Sequence, residues 1–86
     1  MQSKLILLIG PEFIGTKQAI LELFKNCHCV FAEDGIRGLA TAMVMKPDVV
    51  VCRRDTDLIP TSLIKYEVMQ ANSRCKFLII DGDEAF

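Results

Sequence analysis

The feature that most constrains the fold is a run of five consecutive aliphatic residues, Leu5–Ile9. A strand with one face in water alternates apolar and polar residues, whereas an unbroken run is typical of a strand buried on both faces. Val49-Val50-Val51-Cys52 is a second run of this kind, and Phe77-Leu78-Ile79-Ile80 is a further apolar segment. We therefore predict buried strands at the first two runs, a fourth strand at residues 77–80, and a less aliphatic strand nearer a sheet edge at residues 27–32.

The segment after the first strand predicts a helix. Gly10 interrupts the apolar run, and Pro11 suits the first turn of a helix that extends to Lys25. Gly15 weakens this helix, so that its start could be delayed to Thr16.

Two more segments carry apolar residues at helical spacing. Asp34 can cap the second helix, and Pro47 ends it. Pro60 begins the third helix, which ends near Asn72. The residues predicted to face the core are Ile36, Leu39, Ala40, Met43 and Val44 in the second helix, and Leu63, Ile64, Val68 and Met69 in the third.

The resulting order is β-α-β-α-β-α-β, in one domain spanning residues 1–86. Right-handed crossovers favour a parallel sheet covered by helices on both faces. We therefore expect a three-layer α/β fold with strand order 2-1-3-4, the first helix on one face and the other two on the opposite face.

Charge narrows the classes of partner. Ten Lys and Arg residues against eleven Asp and Glu give a net charge of −1, without the basic excess typical of nucleic-acid or membrane-surface binding. No apolar run approaches the roughly 20 residues of a membrane span, and the N-terminal stretch is too short for a signal peptide. We expect a soluble cytoplasmic domain that binds neither nucleic acid nor membrane.

Four cysteines are present, and without an export signal they are expected to be reduced. Cys27, His28 and Cys29 could supply three metal ligands. Alternation along a strand, however, places His28 on the face opposite the two thiols. We expect no metal site there and no cofactor.

Two stretches then carry a resemblance: Ala32-Glu33-Asp34-Gly35-Ile36-Arg37-Gly38-Leu39 and Lys46-Pro47-Asp48-Val49-Val50-Val51. Together with the element order, they resemble the receiver domain of bacterial two-component response regulators. The resemblance implies a flavodoxin-like fold with a site at the carboxyl ends of the strands. In active members an acidic pair after the first strand holds Mg²⁺, and an aspartate after the third accepts phosphate. A Thr or Ser follows the fourth strand and a Lys the fifth.

The positions that match this machinery carry other residues. Ile9 and Gly10 stand where the acidic pair would be, Arg53 stands at the acceptor position, and Asp81 stands at the Thr or Ser position. Glu12 is the one nearby carboxylate, and Mg²⁺ needs several oxygen ligands. The resemblance therefore implies a degenerate receiver, or pseudo-receiver: a non-enzymatic signalling module that acts by protein–protein interaction.

Two alternatives stay open. A shifted loop could present Asp55 or Asp57 as a phosphate acceptor, making the chain a phospho-accepting receiver, although either residue also suits a cap for the third helix. A small flavodoxin-like ligand-binding domain is the other alternative, although Gly10 to Gly15 lacks the G-x-G-x-x-G phosphate-binding pattern.

The position of Arg53 at the end of the third strand predicts an ion pair. Adjacent strand ends should bring it beside Asp81 or Glu12, so we predict an ion pair with one of them where the phosphate site would be. The simpler expectation is that Arg53 and Arg54 are solvated loop residues.

The resemblance also implies that the chain stops after the fourth strand, before a last helix–strand–helix segment. An uncovered apolar edge strand is an interaction or aggregation site. We predict a homodimer, or a complex with another protein, through this edge or the first-helix face; otherwise the sequence belongs to a longer chain. The predicted interface residues are Cys75, Phe77, Leu78, Ile79 and Ile80.

Overall fold

The computed structural model describes residues 4–54 and 59–80, and every structural statement below concerns these residues. They form four strands and four helices. In chain order these are β1 (Leu5–Ile9), α1 (Pro11–Gly15), α2 (Lys17–Leu23), β2 (His28–Ala32), α3 (Gly35–Met45), β3 (Val49–Arg53), α4 (Thr61–Ala71) and β4 (Lys76–Ile80). No helix in the described ranges is long and apolar enough to span a membrane.

The four strands form one parallel sheet in the order β2-β1-β3-β4, which confirms the predicted fold class and strand order. Leu8 of β1 lies between Phe31 of β2 and Val51 of β3, and Val51 in turn lies opposite Leu78 of β4. The two unbroken aliphatic strands, β1 and β3, therefore occupy the centre, as their composition predicted.

Alternate residues of these strands point to opposite faces and form two separate cores. One core combines sheet residues with Ala42 of α3 and with Ile64 and Val68 of α4. The other combines the alternate sheet residues with Phe13 of α1 and Ile20 of α2. The helices therefore lie on the two faces as predicted, which gives the three layers.

The predicted apolar face of α3 is wrong at every position except Leu39. Gly38 packs directly on the sheet, since a Cβ added there would lie 2.5 Å from Cδ1 of the fully buried Ile9. The buried residues of α3 are Gly35, Gly38 and Ala42, with Leu39 half-buried beside them. Ile36, Ala40, Met43 and Val44 are exposed. A smooth strip of small residues lets the helix approach the sheet closely, and this outweighs the burial of larger side chains on the other face.

The first predicted helix is divided into two short ones. α1 begins at Pro11 as expected, and it ends at Gly15. The Thr16 hydroxyl donates to the Glu12 carbonyl over 3.1 Å, and α2 then extends to Leu23 rather than Lys25.

In α4 the core positions Ile64 and Val68 are buried as predicted, and Met69 packs against the same core. Leu63 is exposed, so its assignment to the core was wrong. It lies next to Ile64 along the helix, about 100° away around the axis, and that rotation turns it from the sheet.

All four cysteines are free thiols. Cys27 and Cys29 pack half-buried against the α1–α2 core, whereas His28 between them is exposed. Cys52 and Cys75 are buried. Burial raises the pKa of the Cys52 thiol to about 11, and a hydrogen bond with Thr61 offsets part of this rise.

Candidate functional site

The carboxyl ends of β1 and β3 meet at one edge of the sheet, where open α/β folds place their sites. Ile9 is the last residue of β1 and is fully buried in the core beneath α3. Gly10 follows it, and Arg53 is the last residue of β3. The structure thus brings together three of the four predicted degenerate positions. Asp81, the fourth, lies outside the described residues.

Gly10 shapes this edge because the Arg53 side chain lies directly across it. A Cβ added to Gly10 would lie 2.6 Å from Cγ of Arg53 and 3.3 Å from Oε1 of Glu12. The backbone of Gly10 also has φ of +141°, a conformation that residues with a Cβ rarely adopt. The space beside the end of β1 is therefore filled by the aliphatic part of Arg53.

Arg53 forms an ion pair with Glu12, which confirms one of the two predicted pairings. Nε of Arg53 lies 3.6 Å from Oε1 of Glu12, in the first turn of α1. The Arg53 side chain is only 15% exposed, whereas that of Glu12 is 57% exposed. A pair with one partner so open to water contributes no more than about 1 kcal/mol, so Arg53 is held mainly by its packing over Gly10.

Thr61 fixes the backbone that follows β3. Its hydroxyl oxygen lies 2.9 Å from the Arg53 carbonyl and also within hydrogen-bond distance of the Arg54 carbonyl, so its one proton can be donated to either. Thr61 is buried at the first position of α4. Thr61 is not among the site residues predicted from the sequence, although a hydroxyl directly after Pro60 at a helix start was a usable signal.

The described edge has few groups suited to phosphoryl transfer. Arg53 offers no nucleophile, since a guanidinium stays protonated. Glu12 is the carboxylate that the structure places beside Arg53, while Glu33 and Asp34 pair with Arg37 instead, at 3.3 and 3.6 Å.

Two of the predicted acidic residues cannot be placed at this edge. Asp55 and Asp57 lie outside the described residues. Their suggested roles as phosphate acceptor or helix cap stay predictions.

The predicted interface strand, β4, lies at the edge of the sheet. Leu78 is 54% exposed, although its neighbour Val51 on β3 is buried, so on the sheet face covered by α1 and α2 the helical cover ends between these two strands. Ile80 is half-buried. The assignment of Cys75 to the interface was wrong: it precedes β4 and points into the core beneath α3 and α4.

A groove runs beside this edge strand on the α4 face. Its volume is about 450 Å³, and its walls include Tyr66 and Met69 of α4 and Ile79 of β4. Phe77 and Ile79 are half-buried. The edge therefore combines partly exposed apolar side chains with an adjoining apolar groove.

These features define a parallel α/β fold of flavodoxin-like topology whose strand-end site carries an arginine. Among solved structures, one with this fold is the crystal structure of the N-terminal domain of an uncharacterized protein from Wolinella succinogenes. The TM-score is 0.76 at 15% sequence identity, over 98% of this chain and 68% of that one. At this identity the likeness shows the fold alone. No protein-family model and no curated protein matches the sequence.

Proposed function

We propose that this chain is a pseudo-receiver, a non-enzymatic regulatory module that acts by protein–protein contact without phosphorylation. The observation that carries the proposal is the position of Arg53, whose side chain lies across Gly10 and pairs with Glu12. In an active receiver this space holds carboxylates, Mg²⁺ and phosphate. Here a guanidinium and its aliphatic chain fill it, which favours one constant arrangement over a phosphate-driven switch.

The edge of β4 supports contact as the mode of action. Within the described chain, Lys76 donates its N–H to Asp48, and the Ile80 carbonyl accepts from Arg54, so both residues pair with β3. Backbone groups alternate in direction along a strand, and those of Phe77 and Ile79 therefore face away from β3. An extended segment can add to such an edge, with side chains in the groove at Tyr66 and Met69. A second copy of this chain is the favoured occupant, and a different protein is the next.

Phosphorylation is tested with acetyl phosphate and Mg²⁺, followed by intact-mass measurement. We expect no phosphoryl adduct on the native protein. We also expect none on Arg53→Asp, because restoring the acceptor alone leaves Ile9 and Gly10 without metal-binding carboxylates. A receiver domain with an intact acidic pair serves as the positive control.

A hydroxylamine-sensitive phosphoryl adduct on Asp55 or Asp57 of the native protein would overturn the proposal in favour of a phospho-accepting receiver. A thermal shift measurement against a panel of nucleotides and flavins covers the ligand-binding alternative. We expect no shift, and saturable stabilisation by one of these ligands would contradict a module that acts by contact alone.

A further inference from the structure

The edge of the sheet where the strands begin carries an excess of positive charge that the net charge of the chain conceals. Five of the ten Lys and Arg residues begin a strand or lie in a segment that leads into one: Lys4, Lys25, Lys46, Arg74 and Lys76. All five are exposed. In the described segments that precede the strands, Asp48 is the one acidic residue. We call these five cations the basic edge.

The two ends of the strands, where they begin and where they finish, also differ in how their charges are paired. At the carboxyl ends of the strands, Glu12 pairs with Arg53, and Glu33 and Asp34 pair with Arg37. Within residues 4–54 and 59–80, no ion pair involves a cation of the basic edge. The carboxylate of Asp48 instead accepts the Leu5 N–H at 2.8 Å. The basic edge is therefore open to an external anion.

Three of these cations surround one concave site. A cavity of about 350 Å³ is lined by Lys4, Arg74 and Lys76 together with Asp48 and Val49. Its three cations and one acid leave a local charge of +2. Since Lys4 leads into β1, Asp48 into β3 and Lys76 begins β4, the two lysine backbones lie two strand spacings apart, about 10 Å. That separation is close to the length of three residues of an extended peptide.

Helix ends account for only part of this pattern. Lys46 and Arg74 lie at or just beyond the C-terminal ends of α3 and α4, where cations interact favourably with the helix dipole. Lys4 and Lys76 lie at strand starts, where that explanation does not apply. Their convergence on the cavity calls for another cause.

We propose that the basic edge binds an acidic, extended segment of a partner protein, centred on the cavity between Lys4, Arg74 and Lys76. Charge complementarity supplies the recognition. An acidic peptide is favoured over nucleic acid because none of the described residues that line the cavity is an aromatic that could stack on a base, and because Asp48 lies among the cations. This surface is at the opposite end of the strands from Arg53, so the proposal stands independently of the pseudo-receiver assignment.

The test is fluorescence anisotropy with a labelled peptide of alternating Glu and Ser, at low and high sodium chloride. Replacing every Glu by Gln gives the control peptide. We expect saturable binding of the acidic peptide that weakens as salt rises, because exposed charges are screened. Arg74→Gln combined with Lys76→Gln is expected to weaken binding of the acidic peptide about tenfold, since two exposed ion pairs are lost.

Lys17→Gln combined with Lys65→Gln removes the same charge from α2 and α4, outside the cavity, and is the matched control. Circular dichroism of both double variants checks that they are folded. Equal affinity of the two variants, or equal binding of the Gln peptide, would overturn the proposal. Tighter binding of a single-stranded oligonucleotide would assign the surface to nucleic acid instead. Salt-sensitive self-association that is abolished by the Arg74→Gln and Lys76→Gln double variant would assign the surface to a second copy of this chain. Binding to the oligonucleotide or to a second copy in this way would overturn the proposal of an acidic peptide partner.

Discussion

At the scale of single residues, Gly10 is the position of the strand-end site where a substitution is expected to be tolerated least. Its φ of +141° strains any residue with a Cβ, and the added carbon would meet Arg53 at 2.6 Å. Strain of this kind costs on the order of 1–3 kcal/mol. We therefore expect Gly10→Ala to lower the free energy of unfolding in urea by about 2 kcal/mol.

Gly15 provides the matched control for this substitution. It ends α1, and a Cβ added there meets nothing within 4 Å. Gly15→Ala is expected to leave stability unchanged or raise it by up to about 1 kcal/mol, the helix-propensity difference between the two residues. Adding Arg53→Ala to Gly10→Ala should relieve the contact but not the φ strain. Equal stabilities of Gly10→Ala and Gly15→Ala would refute the close packing of Arg53 over Gly10.

At the scale of secondary-structure elements, the packing of α3 on β1 depends on the missing side chain of Gly38. A Cβ there would approach Cδ1, Cγ1 and Cγ2 of Ile9 to between 2.5 and 2.9 Å. Overpacking costs about 1–3 kcal/mol, whereas Gly→Ala in a helix gains about 1 kcal/mol. We expect the first effect to win, so that Gly38→Ala lowers the free energy of unfolding by roughly 1–2 kcal/mol.

A double-mutant cycle with Ile9→Val isolates this contact. The valine lacks Cδ1, the atom nearest the added carbon, and by itself costs about 0.5–1.5 kcal/mol. We expect the double variant to be more stable than the sum of the two single effects predicts. Strict additivity, or a Gly38→Ala variant more stable than the native protein, would show that α3 does not pack this closely on the sheet.

The strands of the sheet could be predicted from the sequence, whereas the buried face of α3, which packs through Gly38, could not. The unbroken apolar runs of β1 and β3 identified them as buried strands, and both lie in the centre of the sheet. Such a run does not by itself determine that position, because the apolar run of β4 lies at the edge of the sheet, where Leu78 is exposed. The buried face of α3 could not be found in this way. Hydrophobic periodicity favours large side chains such as Met43 and Val44, whereas close helix–sheet packing selects Gly38 and Ala42.

The strand-end site was predictable only in part, because its contacts join residues that are not neighbours in the sequence. The sequence order placed Arg53 after the third strand and identified Glu12 as one possible partner. The route of the Arg53 side chain across Gly10, and the contact of Thr61 with the Arg53 carbonyl, depend on three-dimensional packing. No sequence spacing encodes either contact, since the residues come from separate elements.

At the scale of the whole molecule, the open edge of the sheet determines the expected state of the protein in solution. An edge strand with exposed apolar side chains favours pairing with another strand. Leu78 is the most exposed apolar residue of β4, at 54%. We expect the mass from light scattering to be that of a dimer, and Leu78→Lys to weaken the association at least tenfold because a charge on the edge opposes strand pairing.

Val44→Lys is the matched control, since Val44 is 82% exposed on α3 and lies on a different surface from β4. It should leave the dimer intact, and both substitutions should leave the urea midpoint of a dilute sample nearly unchanged, because neither site is in a core. A native protein that stays monomeric at high concentration would exclude self-pairing through β4. Equal loss of the dimer in both variants would instead show that association depends on exposed apolar residues in general and not on the β4 edge. Loss of the dimer in Leu78→Lys alone is the result that assigns self-association to the β4 edge.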